Sequence, residues 1–331
     1  MVGIFDVRHI GSHLALAAGS LRIPTRLVDL RGAFEGAQWL ARLSWWVGRH
    51  RPPRLQAFSH QVVEACKEYR PRWMLSTGTA PIQAGALETI GRMGIQRFNY
   101  LTDDPWNLAH RAPWFLRALP LYDRLFSTRR VNIEDLHRLG CPEVSYLPFA
   151  YAPNIHYPDP PHTLEERARF DADVVFAGGA DRDRFPWIAA LIRSKFKVGL
   201  YGAYWERFPQ TRCYALGLAD PPTLRKAIGG AKVTMGLVRR ANRDGSSMRT
   251  FEVPAMMGCM LTEDTQEHRE ILGEEGEATV YFRSIPEMVD KLRWLLERPE
   301  ERQRLAQAAH ERILQGKHTY RDRLATMLGL E

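Results

Sequence analysis

Short apolar runs alternate along the chain with stretches in which apolar residues recur every three or four positions. The first pattern predicts buried strands and the second amphipathic helices. Strands are predicted at 2–7 (VGIFDV), 25–30, 72–77, 96–102, 123–128 and 144–150. Helices are predicted at 13–21, 55–70 (stopped by Pro71), 81–94 and 131–140. Residues 151–170 are proline-rich and predict a linker, because proline removes a backbone donor and breaks helices. The alternation then restarts. Strands are predicted at 173–178, 197–202, 232–238, 259–263 and 278–282, and helices at 187–196, 222–231, 250–258, 285–315 (two, broken near Pro299) and 319–329. Strands alternating with helices of this length indicate βαβ units on parallel sheets, hence an α/β chain in two halves of similar size.

Composition agrees with a globular chain. Of 331 residues, 45% are hydrophobic and 25% charged, well away from a disordered balance. The formal net charge of +8 favours anionic partners such as nucleotides, or else a solvated basic surface. Cys66, Cys141, Cys213 and Cys259 form no CxxC pair, which predicts free thiols in a reducing cytoplasm. No signal peptide and no apolar run of ~18–20 residues is evident, so a cytoplasmic location is expected. Residues 38–54 place Leu40, Leu43, Trp46 and Val47 in a stripe between arginines. That helix either packs on its own domain or lies on the inner face of an anionic membrane.

Several constellations could carry chemistry. The 173–178 strand runs into Gly178-Gly179, with Arg182 and Arg184 in the following turn. Glycines after a parallel strand let a ligand approach the backbone, and arginines suit a pyrophosphate; a plain strand–turn is the alternative. The dinucleotide fingerprint GxGxxG is absent. Tyr201-Gly202 end another strand beside the aromatic Tyr204 and Trp205, where a base or sugar could stack or where the rings simply pack a loop. In SSMRTFEVPAMMG (246–258), Ser246 or Ser247 is a helix N-cap candidate, so its helix is expected to begin near Met248. Thr250 would lie in its first turn. Free N–H groups there and Arg249 would attract a phosphate, and Glu252 one turn on could accept both hydroxyls of a ribose. Alternatively Glu252 is favoured by the helix dipole or pairs with Arg249 at i,i+3. Pro254 inside this helix implies that it is short or kinked. Asp103 and Asp104 follow a strand and could bind acceptor hydroxyls, act as base, or merely form a turn. His13, with His9 and Gly11, is placed in the loop after the first strand.

Several of these segments resemble the CgeB-type glycosyltransferases, which are related to the glycosyl transferases group 1. The matching pieces are Arg249, Phe251, Glu252 and Gly258; Gly273, Glu274 and Glu275 through Tyr281-Phe282; His318, Thr319, Tyr320 and Arg323; FAGG (176–179) and YGAYW (201–205). The resemblance covers roughly 173–328 and is weaker over 1–150, where TDDP (102–105) and YLPFAY (146–151) carry it. It implies a GT-B fold, two Rossmann-like parallel-sheet domains facing a cleft. Residues 1–155 would bind the acceptor, 171–315 the nucleotide sugar, and 316–331 would be a helix crossing back to the first domain.

The resemblance further implies transfer of a sugar from a nucleoside-diphosphate sugar to an unidentified acceptor hydroxyl on a protein, glycan or lipid-linked molecule. Donor contacts would come from Gly178, Gly179, Arg182, Arg184, Tyr201, Gly202, Asp244, Ser246, Ser247, Arg249, Thr250 and Glu252. Asp244 stands eight residues before Glu252, where the wider superfamily carries the first of two acidic residues. Asp103, Asp104 or His13 would serve as base in an inverting reaction. No cofactor, metal or nucleic-acid partner is expected. A nucleotide-sugar epimerase of the same fold and a non-catalytic sugar-binding protein are the alternatives.

Overall fold

The structure is a computed structural model that describes residues 1–35 and 50–330. Of the basic aromatic helix expected within 38–54, residues 38–49 lie outside the described residues, and residues 50–54 are not helical. The chain divides into two compact units: Met1–Pro148 with Ala241–Arg243 and Tyr320–Glu331, and Phe149–Arg240 with Asp244–Thr319.

Unit 1 holds strands β1 (Val2–Gly3), β2 (Val28–Asp29), β3 (Trp73–Thr77), β4 (Gln96–Leu101), β5 (Arg124–Ser127) and β6 (Val144–Tyr146), in sheet order β2-β1-β3-β4-β5-β6. Every pairing is parallel. Helices α1 (Ile10–Ser20), α2 (Leu55–Tyr69), α3 (Ala84–Arg92), α4 (Pro113–Ala118) and α5 (Val131–Arg138) connect the strands. The periodicity of α2 buries Phe58, Val62 and Cys66 on one face against Met74 and Leu87. At its end Arg70 adopts a left-handed φ of 46° before Pro71.

Unit 2 carries α6 (Leu164–Phe170), β7 (Ala172–Ala177), α7 (Phe185–Arg193), β8 (Val198–Tyr201), α8 (Pro221–Gly230), β9 (Ala231–Gly236), α9 (Arg249–Ala255) and β10 (Met260–Glu263). It continues through α10 (Gln266–Leu272), β11 (Val280–Phe282), α11 (Ile285–Leu296) and α12 (Pro299–Gln315). Its strands form a parallel sheet in the order β11-β10-β9-β7-β8. Val174, Phe176, Met235 and Leu261 fill its core with Ile188 and Leu292. The last helix, α13 (Tyr320–Leu328), is counted with unit 1, where it packs on α1. The fold is therefore α/β, with two Rossmann-like parallel sheets.

Some expectations need correction. The first strand is only Val2–Gly3, because the chain turns at Asp6, whose carbonyl accepts from His9 N at 2.9 Å. The region 151–170 is not all linker. Thr163 and Glu166 form a reciprocal capping box that starts α6 once the prolines have passed. Helices α4 and α10 were not anticipated. Proline opens the first, and the Thr265 side chain caps the second by accepting from His268 N. Among the described residues no helix is long and apolar enough to cross a membrane.

Candidate functional site

The loops at the carboxyl ends of β7 and β8 are knitted together. Gly178 N donates to Tyr201 O at 2.8 Å, Ala180 N to Ala203 O at 2.9 Å, and Trp205 Nε1 to Gly178 O at 2.8 Å. This packing explains the glycines. A Cβ on Gly202, whose φ is +148°, would stand 2.2 Å from Gly178 O. Tyr201 is buried, and Gly179 borders the same turn.

Arg184 and Arg182, adjacent in sequence expectation, have different environments. Arg184 is buried, with Nη1 donating to Gly179 O at 3.2 Å and Nη2 to Leu237 O at 3.1 Å. It thereby clamps the loop after β7 to the end of β9, and burial lowers its pKa. Arg182 is exposed and makes no ion pair among the described residues.

The segment 246–252 departs from expectation in one respect. Neither Ser246 nor Ser247 caps the helix. Its N-cap is Met248, in a helical conformation without a side-chain cap, and α9 is only seven residues long. Pro254 sits in its last turn, and Gly258 N closes the end on Val253 O at 3.0 Å. Ser247 N instead donates to Thr250 Oγ1 at 3.1 Å, and Thr250 Oγ1 meets His268 Nε2 at 3.1 Å. His268 Nδ1 lies 2.7 Å from Glu263 O, a carbonyl that can only accept, so that nitrogen carries the proton and Nε2 accepts from Thr250. Burial drives the His268 pKa down to about 4, which fixes this neutral form. The Ser246 hydroxyl is buried without a hydrogen-bond partner among the described residues. Asp244 is half-buried just upstream, its N–H on Arg239 O at 3.2 Å.

Glu252 is 1% exposed. Arg249 donates to its carboxylate through Nη1 and to Ala177 O, at the end of β7, through Nε at 3.1 Å. On the other side, His156 Nε2 lies 3.5 Å from Glu252 Oε1. His156 Nδ1 accepts from Ala152 N at 3.0 Å, so Nε2 bears the hydrogen that faces the carboxylate. A buried carboxylate is thus held between a guanidinium and an imidazole at the carboxyl end of a parallel sheet, where open α/β sheets bind ligands. Sequence reasoning missed His156 because it sits in the proline-rich stretch, and it missed His268.

In unit 1 the structure separates the two aspartates. Asp104 is buried and accepts from Trp106 N, Asn132 Nδ2 and two nitrogens of Arg243, the Nη2 contact being 2.9 Å. Burial alone would raise its pKa; the Arg243 hydrogen bonds and charge, with Trp106 N and Asn132, outweigh it and hold the carboxyl below its usual range. Arg243 also reaches Asp135 at 2.7 Å. Asp103 is only half-buried, with Asn242 Nδ2 at 3.2 Å and Thr102 Oγ1 at 3.4 Å. His13 lies in the first turn of α1 rather than in a loop, buried and stacked on Tyr320 with ring centroids 5.1 Å apart. The helix starts earlier than expected because Gly11, whose Cβ would meet Ile4 O at 2.5 Å, lets α1 begin directly against the chain after β1.

Residues 184–329 match the family described as "Glycosyl transferase-like". HepE of Anabaena, solved with UDP-glucose, is 12% identical, with 100% of this chain and 99% of that chain covered and a TM-score of 0.66. Sucrose-phosphate synthase from Thermosynechococcus elongatus is 13% identical over 84% of this chain and 78% of that one, with a TM-score of 0.60. A putative UDP-N-acetylglucosamine 2-epimerase from Listeria monocytogenes is 13% identical over 99% and 94%, with a TM-score of 0.54. No curated protein matches. The chain is thus similar over residues 184–329 to the glycosyl transferase-like family, and it shares the GT-B-type fold of these solved structures.

Proposed function

We propose that the protein transfers a sugar from a nucleoside-diphosphate sugar to an acceptor hydroxyl. The observation that supports this best is the buried Glu252 carboxylate beside Arg249 at the end of β7, inside the segment that matches the glycosyl transferase family. In this reading Glu252 accepts the ribose hydroxyls, and Gly178-Gly179 admit the diphosphate close to the backbone. The exposed Arg182, together with the half-buried Arg249 that also holds Glu252, offsets the negative charge that builds on the leaving diphosphate. Arg184, with its terminal nitrogens on backbone carbonyls, positions the loop. The acceptor oxygen forms the new bond to the anomeric carbon as the bond from that carbon to the diphosphate breaks, and the acceptor proton passes to a base. If the reaction inverts, Asp103 is the better candidate, because Asp104 is occupied by Arg243. His13 is buried in a helix turn and suits a structural role better.

The finer assignments belong to the same reading: a hexosyltransferase of the CgeB type, acting in the cytoplasm on a cell-surface glycan precursor or a lipid-linked acceptor, without a metal. Ligands of the neighbours make a uridine-diphosphate sugar the first donor to try: HepE was solved with UDP-glucose. The test is turnover of a panel of nucleotide sugars with and without mixed glycan acceptors, with and without EDTA. Acceptor-dependent release of nucleoside diphosphate, unaffected by EDTA, supports the proposal. A second reading rests on the epimerase neighbour. It predicts epimerised or free sugar from the donor alone.

A further inference from the structure

Unit 1 contains a cavity of about 360 Å³ at the starting ends of β1, β2 and β3. Its walls are apolar: Val28 from β2, Met74 from β3, Val62 and Cys66 from α2, and Leu324 and Leu328 from α13. Three arginines also line it, Arg26, Arg70 and Arg72, and no aspartate or glutamate does. All three are exposed, and among the described residues none is in an ion pair. Arginines at the starts of the next strands of the same sheet are paired, Arg97, second in β4, with Asp123 at 2.6 Å and Arg124, first in β5, with Glu143 at 2.8 Å. Three guanidinium groups without an ion-pair partner among the described residues thus gather at the mouth of this apolar recess.

We infer that this cavity is a binding site for a single-chain amphipathic anion, a free medium-chain fatty acid, with its tail among the apolar residues and its carboxylate on Arg26, Arg70 and Arg72. The walls offer a polar ligand body few hydrogen-bond partners, so burying one there would be costly, whereas a hydrocarbon chain loses nothing. The volume lies near the low end of small-molecule pockets, ~300–1,000 Å³, which suits one short chain rather than a two-chain lipid. A planar guanidinium matches a carboxylate with two parallel hydrogen bonds. Arg70 is set at the rim by the left-handed turn that ends α2, and Arg72 is held by its stacking over the Trp73 ring at 4.6 Å. Open α/β sheets bind reacting ligands at the carboxyl ends of their strands, and this cavity lies at the opposite ends. Its occupant is therefore an effector or a tether, and the inference does not rest on the transferase reading.

The test titrates the full chain with dodecanoate below its micelle concentration, followed by calorimetry and thermal shift. Dodecyl maltoside supplies the same tail with a neutral head, and acetate the head without the tail. Dodecanoate is expected to saturate near one equivalent and raise the melting temperature, the maltoside to bind at least ~10-fold more weakly, and acetate not to bind. Arg70→Gln combined with Arg72→Gln should weaken dodecanoate at least ~10-fold with the ligand-free melting temperature unchanged, while Arg193→Gln in unit 2 leaves binding intact. Absence of saturable dodecanoate binding, equal binding of the maltoside, or no effect of the double variant would overturn the inference. So would binding to phosphatidylglycerol vesicles without binding to monomeric dodecanoate, which would make the arginines a membrane surface.

Discussion

His156 directs Nε2 at Glu252 across 3.5 Å, and it can do so because Nδ1 is committed to the backbone N–H of Ala152. The imidazole therefore orients a carboxylate 96 positions further along the chain, and Arg249 holds the other side of it. If Glu252 reads a ribose, its orientation governs donor affinity. His156→Ala should weaken nucleotide-sugar binding about 10-fold, the worth of one hydrogen bond to a charged group, whereas His156→Gln, which keeps a donor, should recover most of it. Calorimetric titration of both variants checks this, and a matching loss in the two would mean that the ring serves packing alone.

Arg243 and Asp104 are the next dependence. Removing Arg243 leaves a carboxylate 1% exposed with only Asn132 and Trp106 N as donors. Arg243→Ala should destabilise unit 1 by about 2–3 kcal/mol, and adding Asp104→Asn should restore part of that. Denaturant unfolding of the single and double variants measures the coupling.

His268 makes stability depend on pH. Its folded pKa is about 4 against roughly 6.5 in an unfolded chain. Between those values the unfolded state binds a proton that the folded state refuses, so stability is full above about 6.5 and falls as pH drops toward 4. The loss attributable to this residue approaches about 3 kcal/mol. Wild type and His268→Gln should therefore converge in stability as pH falls through that window, as read by urea midpoints.

The alternation of strands and helices was legible because burial on both faces of a parallel strand demands continuous apolar runs, as in residues 172–177 and 259–263. Ends were legible where a single residue sets them, as at Pro71 and Pro299. They were misjudged where a local bond decides. The Asp6 turn shortens β1, and the Thr163–Glu166 box starts a helix inside a stretch read as linker. In the candidate site, Arg249 and Glu252 stood out because they are neighbours on one helix. His156, His268 and Arg243 did not, since each acts through a partner distant in sequence or through a backbone carbonyl, which leaves no spacing to read. Arg184 was legible as a residue but not in its role, because only the fold shows that carbonyls take its donors.

Gly202 tests the packing of the two loops that flank the candidate diphosphate position. Its φ of +148° and the Gly178 carbonyl 2.2 Å from a would-be Cβ leave no room for a side chain. Gly202→Ala should cost about 2–3 kcal/mol and lower the melting temperature correspondingly, whereas Gly94→Ala, also at positive φ but with nothing near its Cβ, should cost less. Equal losses would show that backbone strain, not the contact, sets the requirement.

In the proposed function the Glu252 cluster recognises a nucleoside-diphosphate sugar. The most direct measurement is calorimetric titration of wild type and Glu252→Gln with UDP, GDP, ADP, dTDP and UDP-glucose, each variant first checked for an unchanged melting temperature. One diphosphate and its sugar conjugate are expected to bind wild type, and the substitution should weaken both at least about 10-fold, equivalent to about 1.4 kcal/mol. No binding by any nucleotide, or equal binding by wild type and the variant, would contradict it.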